Sequence, residues 1–332
     1  MENKINVGVI GVGHLGALHA KMYAAIDSAN FVGVYDVNQE RCREVAAMYQ
    51  IAAFGTIDEL LTAVDAVSIA TVTTHHYETA KQALDAGRHI LIEKPMTTTI
   101  TEAEELNALA KEKGLLIQVG HIERFNPAIL SLEEYRLAPM FIESHRLAQF
   151  NPRGTDVAVV LDLMIHDIDI ILSLVDSPVS KIEANGISVV SDSADIANAR
   201  LQFANGCVAN VTASRISQKK MRKMRMFQSN AYISIDFLKG QSEVFRLGDP
   251  NDPVSNSTMM LGEIERGKKK RTIIYEHLEQ KDVNALKCEL ESFLSAIAAQ
   301  RRPIVSGEDG QRALEVAQEI MKQIQVLHYG DE

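Results

Sequence analysis

With 332 residues the chain exceeds what one hydrophobic core usually serves, so two domains are expected. Hydrophobic residues make up 46% and charged residues 23%, which excludes a disordered or fibrous protein. A formal net charge of −10 argues against general nucleic-acid binding, because a phosphate backbone repels an acidic surface.

Met1 to Val7 runs straight into a strand pattern without a basic, then apolar, leader, so no signal peptide is expected. Ile5 to Ile10 reads as a buried parallel strand, Leu15 to Ala25 as a helix, Phe31 to Tyr35 as a second strand, and Glu40 to Tyr49 as a polar helix. Further strands follow at Ala66 to Ala70 and His89 to Ile92, with a helix over Tyr77 to Ala86 between them. A helix at Thr101 to Lys113 and a strand at Leu115 to Val119 complete the alternation. Such βαβαβ order predicts a doubly wound, mostly parallel Rossmann sheet over residues 1–122.

The pattern changes beyond Gly120. A helix is expected at Val159 to Leu174, then strands at Lys181 to Val190, Ala199 to Phe203, Val208 to Arg215, Met221 to Gln228 and Ala231 to Phe237. Turn residues punctuate them, predicting an α+β domain over 123–332 with a large, mostly antiparallel open sheet. Pro250 to Ser257 reads as a loop and Gly267 to Arg271 as a polar turn. The tail returns to helix at Val283 to Ala299 and Gly310 to Leu327, and the last helix could pack back on the first domain. No apolar run approaches the roughly 20 residues that span a bilayer, so no membrane partner is expected. Cys42, Cys207 and Cys288 lie far apart with no CxxC pair, which points to a reducing cytoplasm.

Gly11-Val12-Gly13-His14-Leu15-Gly16 leaves the first strand and opens a helix. In that context Gly11 permits a tight turn, Gly13 lets a pyrophosphate approach the backbone, and Gly16 lets helix and strand pack closely. Asp36 ends the second strand, where a carboxylate accepts hydrogen bonds from ribose hydroxyls. Its charge would repel a 2′-phosphate, favouring NAD over NADP, although Arg41 is not far away.

Glu93-Lys94-Pro95 closes another strand of this sheet, followed by Met96-Thr97-Thr98-Thr99, and upstream stands Ala70-Thr71-Val72-Thr73-Thr74-His75-His76-Tyr77-Glu78. With the glycine motif these resemble the Gfo/Idh/MocA oxidoreductase family, which includes glucose–fructose oxidoreductase and inositol dehydrogenase. The resemblance implies a dinucleotide held by Gly11, Gly13, His14, Leu15, Gly16, Asp36, Thr71, His76, Glu93 and Lys94. Val72 departs from the family, which often has proline there.

Asp162 and His166 are four residues apart, so a regular helix puts them on one face, where a carboxylate orients an imidazole that accepts a proton. The resemblance places the family's catalytic Asp and His at these positions and its catalytic Lys at Lys94. It calls for no metal. The glycine pair common just before Asp162 in the family is missing here.

Val119 to Pro127, Thr155 to Asp169, Ser214 to Ser217 and Ser306 to Gly310 resemble the branch that oxidises the C3 hydroxyl of UDP-N-acetylglucosamine or a related nucleotide sugar to a ketone. Arg124 and Arg215 are the candidate substrate contacts. Lys219, Lys220, Arg222, Lys223 and Arg225, and Lys268 to Arg271, are basic clusters that suit a diphosphate. They equally suit plain solvation, with Met221, Met224 and Met226 facing a sheet interior, or contact with a neighbouring subunit. Competing readings are an inositol or simple-sugar dehydrogenase and a non-catalytic NAD(H)-sensing regulator. A homo-dimer or homo-tetramer built through the C-terminal sheet is expected.

Overall fold

Consecutive apolar residues in Ile5–Ile10 (β1) and Ala66–Ile69 (β4) are buried on both faces, the pattern of a sheet covered by helices above and below. The computed structural model describes residues 4–151, 157–248, 258–266, 269–278, 282–324 and 327–328. Two compact units emerge: Met1–Phe125 with Val283–Glu315, and Asn126–Asp282 with Val316–Glu332.

In the first unit, β1, Ala29–Tyr35 (β2), Ala52–Ala53 (β3), β4, His89–Glu93 (β5) and Ile117–Gly120 (β6) form a wholly parallel sheet in the order β3-β2-β1-β4-β5-β6. The helices are His14–Tyr23 (α1), Gln39–Tyr49 (α2), Ile57–Ala63 (α3), His76–Asp85 (α4) and Ile100–Lys113 (α5). This is the doubly wound Rossmann order, with its topological switch at β1/β4. A helix after the second unit's strands, Ala285–Ala298, also belongs here. Its Leu290, Phe293 and Leu294 join Val7, Val9, Tyr23 and Val34 in one core. A polar anchor fixes it, the Gln118 amide donating to Glu289 O at 2.9 Å.

In the second unit, Phe141–Leu147 (β7), Val179–Ser188 (β8), Ile196–Phe203 (β9), Val208–Ser214 (β10), Met221–Gln228 (β11), Ala231–Asp236 (β12), Gln241–Gly248 (β13), Thr258–Arg266 (β14), Lys269–His277 (β15) and Leu327–His328 (β16) form one sheet. Among the described residues its order is β14-β15-β13-β12-β11-β7-β10-β9-β8-β16. All neighbours are antiparallel except β7/β10 and β8/β16.

Three expectations change. Val159 to Leu174 is not one regular helix: Val160–Met164 is wound as a π-turn and only Ile165–Leu174 is α-helical. Lys269 to Arg271, expected in a polar turn, lie in β15. Gly267, Lys268 and the Pro250 to Ser257 loop lie outside the described residues. In β11, Met224 and Met226 are buried but Met221, an odd number of positions away, faces the opposite side and is exposed.

Candidate active site

The cofactor turn follows from three glycines with three different needs. Gly11 has φ +83°, and a Cβ on it would lie 2.9 Å from the Ala70 carbonyl. Gly16 packs so tightly that a Cβ would come within 1.8 Å of Gly11 O. Around Gly13, by contrast, nothing lies within 4 Å of where a Cβ would be, so the backbone there is open to a ligand. The adjoining helix α1 takes Gly13 as its N-cap and has no side-chain cap, whereas Asn38, Thr56 and Thr99 cap α2, α3 and α5. Its leading N–H groups and positive dipole end therefore suit a pyrophosphate, and the residues present fit a dinucleotide.

Asp36 is held by two backbone donors. Oδ2 accepts Val12 N–H at 2.6 Å and Oδ1 accepts Asn38 N–H at 2.8 Å. Each oxygen keeps a lone pair for a ribose hydroxyl. Arg41 donates through Nε to Val12 O at 3.1 Å and through Nη1 to Glu44 at 3.0 Å. His14 and Leu15 stand exposed on the first turn of α1. Exposed Val72 marks the departure from the family's usual proline, and exposed Val37, next to Asp36, was not singled out in the sequence. A bare valine directly after a strand-terminal acid was the available signal.

Two expected cofactor contacts lie a layer deeper. The His76 ring is 1% exposed, with Nδ1 2.9 Å from Pro95 O and Nε2 3.1 Å from Thr71 O. It braces the loops after β4 and β5. Burial holds its pKa below the ordinary histidine value. Glu93 is also buried: Oε1 accepts from His19 Nε2 at 2.9 Å, and Oε2 accepts Lys94 N–H at 3.3 Å. Burial pushes its carboxyl up, but the His19 hydrogen bond and the Lys94 charge prevail and hold it below the usual range. Gly120 is glycine because a Cβ would meet the Glu93 carboxyl at 3.0 Å. Lys94 itself is half-buried at the tip of β5, before a cis bond to Pro95.

In the second unit the π-turn carries Asp162 and the following helix carries His166, both half-buried. The four-residue spacing therefore spans a change of winding, and the i,i+4 rule of a regular helix does not describe it. Such π-turns recur at functional sites. Asp162 lines a cavity of about 570 Å³ together with Arg215, Lys220 and Arg222. Beneath it, Arg146 and Asp167 form a buried ion pair, and the Arg146 guanidinium sits 5.8 Å from the Phe237 ring centroid.

The two arginines expected to touch substrate each serve an acid of their own unit. Arg215, on the cavity wall, pairs with Asp195 at 3.8 Å and donates to Val157 O, tying strand β10 to the entry of the π-turn. Arg124 is half-buried. Burial raises the Asp309 carboxyl, and the Ser306 N–H with the Arg302 and Arg124 charges outweighs that and draws it down. Among the described residues no three His, Cys, Asp or Glu side chains group as metal ligands, and no helix is long and apolar enough to cross a membrane.

Residues 5–121 match the oxidoreductase family with an NAD-binding Rossmann fold, and residues 136–234 match the GFO/IDH/MocA C-terminal domain. UDP-N-acetylglucosamine 3-dehydrogenase of Acidithiobacillus ferrooxidans is 40% identical over 317 residues, 95% of this chain and 96% of that protein. A solved structure of that enzyme superposes with a TM-score of 0.86 at 39% identity, covering 97% of this chain and 98% of the other. Myo-inositol 2-dehydrogenase of Thermotoga maritima is 25% identical over 328 residues, 93% of each chain.

Proposed function

The chain belongs to the Gfo/Idh/MocA oxidoreductase family, and on that premise we propose that it oxidises the C3 hydroxyl of UDP-N-acetylglucosamine, or of a closely related nucleotide sugar, to a ketone. The near-full-length likeness to an enzyme of that name, at 40% identity against 25% for the inositol enzyme, carries this reading.

Gly13 and the uncapped start of α1 hold the pyrophosphate of the dinucleotide, with His14 and Leu15 flanking it, while Asp36 receives the ribose hydroxyls and favours NAD over NADP. A bound nicotinamide would supply the hydride acceptor for the carbinol carbon. Thr71, in the loop braced by His76, helps position it. Lys94 orients the substrate alcohol and stabilises negative charge as it develops on the oxygen. His166 accepts the hydroxyl proton, and Asp162 aligns the imidazole.

The outer face of the second unit's sheet supports self-association. Phe141, Phe227, Tyr232, Phe245 and Tyr275 stand directly across neighbouring strands, with ring centroids 4.8–5.9 Å apart. A homo-dimer or homo-tetramer covers this stripe. Cys42, Cys207 and Cys288 are free thiols, which suits a reducing cytoplasm.

Purified protein incubated with NAD and UDP-N-acetylglucosamine is expected to give reduced cofactor, seen by absorbance, and a nucleotide sugar lacking two hydrogens, seen by mass spectrometry. Reduction with myo-inositol but none with the nucleotide sugar would overturn the substrate.

A further inference from the structure

The basic run on β11 is divided by the sheet. Residues alternate between faces along a strand. Lys223 and Arg225 share a face with exposed Phe227, and each meets an acid there: Lys223 Nζ lies 3.4 Å from Asp236, and Arg225 Nη1 lies 3.7 Å from Glu143. Arg222 has the parity of buried Met224 and Met226, so it lies on the inner face, directly across from Arg146. Two arginines side by side repel. Asp167 pairs with Arg146, the two side chains each 2% exposed.

Arg222 instead lines the Asp162 cavity, together with Lys220. That wall concentrates positive charge in a chain whose formal net charge is −10. The volume of about 570 Å³ falls within the roughly 300–1,000 Å³ typical of small-molecule sites. Phe150 and Leu238, each about half exposed, add apolar surface to the same cavity. Cations beside an aromatic and an aliphatic side chain suit an anionic ligand that also carries rings.

We infer that Lys220 and Arg222 form the subsite for the diphosphate of the nucleotide-sugar substrate, and that Lys223 and Arg225 take no part in it. This rests on the nucleotide-sugar reading above and adds to it which of these four cations touch the phosphates. Arginine grips such oxygens through its planar fork and lysine as a point charge.

The test measures UDP and uridine as inhibitors competing with UDP-N-acetylglucosamine, alongside steady-state kinetics and NADH binding. It compares wild type with Lys220→Ala, Arg222→Ala, Lys223→Ala and Arg225→Ala. The first two variants should weaken UDP and raise KM for the nucleotide sugar about tenfold or more, with kcat and NADH affinity little changed. Uridine inhibition should stay the same, and the Lys223 and Arg225 variants should match wild type. Both affected side chains are exposed, so thermal unfolding should also be unchanged.

If Lys220→Ala and Arg222→Ala left UDP inhibition unchanged, or weakened uridine equally, the subsite would be wrong and the substrate reading would stand. If wild type were itself indifferent to UDP and inactive on the UDP sugar, both would fall.

Discussion

Arg146 and Asp167 meet as a fork, Nε to Oδ2 at 2.8 Å and Nη2 to Oδ1 at 3.1 Å. The pair fastens β7 to the first turn of the helix Ile165–Leu174, one residue beyond His166. Removing one partner strands a charge in the interior. Arg146→Ala should cost about 3–5 kcal/mol of unfolding free energy in urea denaturation, whereas Arg146→Met with Asp167→Leu should recover much of the loss. A single-variant loss below about 1 kcal/mol would show that the pair is not needed to hold that helix.

The glycine turn separates folding from binding. Gly16→Ala drives a Cβ to within 1.8 Å of Gly11 O, so the first unit should lose stability even without cofactor. Gly13→Ala meets nothing within 4 Å, so its unfolding midpoint without cofactor should match wild type. Its NADH dissociation constant should rise about tenfold or more, because the new methyl lies where the pyrophosphate approaches. Equal NADH affinity in wild type and Gly13→Ala would remove Gly13 from the cradle.

The glycines were legible because each answers a local backbone need, and the buried parallel strands because both faces are apolar. Strand β7 was not: its inner face reads Ile142, Ser144, Arg146, and the last is buried only because Asp167, 21 residues on, neutralises it. The π-turn was equally hidden, since Val160 to Leu174 keeps a helical apolar pattern whichever way its first turn is wound. Helix α3 had a visible signal, the Thr56…Glu59 capping box, that went unread. The return of Ala285–Ala298 to the first unit depends on pairs such as Gln118 with Glu289, 171 residues apart, which no local pattern announces. Asp36 is legible as an acid at a strand end, whereas the burial of His76 and Glu93 comes from tertiary packing, which sequence does not supply.

His76 makes stability depend on pH. Its folded-state pKa lies below the ordinary 6.5, chiefly through burial. Above 6.5 both folded and unfolded forms hold it neutral, so its full contribution is present. As pH falls below 6.5 the unfolded chain takes the proton first, and stability is lost until the folded ring also protonates. The urea midpoint of wild type should therefore fall as pH drops below 6.5, and that of His76→Gln should fall less. The Glu93 carboxyl, held below its usual 4.5, acts at lower pH and leaves this window clear. Equal slopes in the two proteins would exclude His76 as the titrating group.

In the proposed mechanism His166 and Lys94 make different demands on the same reaction. Loss of a general base removes the acceptor for the hydroxyl proton without touching the glycine turn, which belongs to the other unit. His166→Ala should therefore lower kcat by about 10²–10⁴-fold with NADH affinity unchanged by fluorescence titration. Lys94→Met should lower kcat comparably, since the oxygen then gains charge without a cation to receive it. Asp162→Asn keeps the shape but not the charge that steadies the imidazole, so its loss should be smaller than that of His166→Ala. Combined with His166→Ala it should add little, because an aligning group has nothing left to align. Turnover near wild type in His166→Ala would remove that residue from proton transfer. Losses of Asp162→Asn and His166→Ala that multiplied in the double variant would show that Asp162 acts by another route.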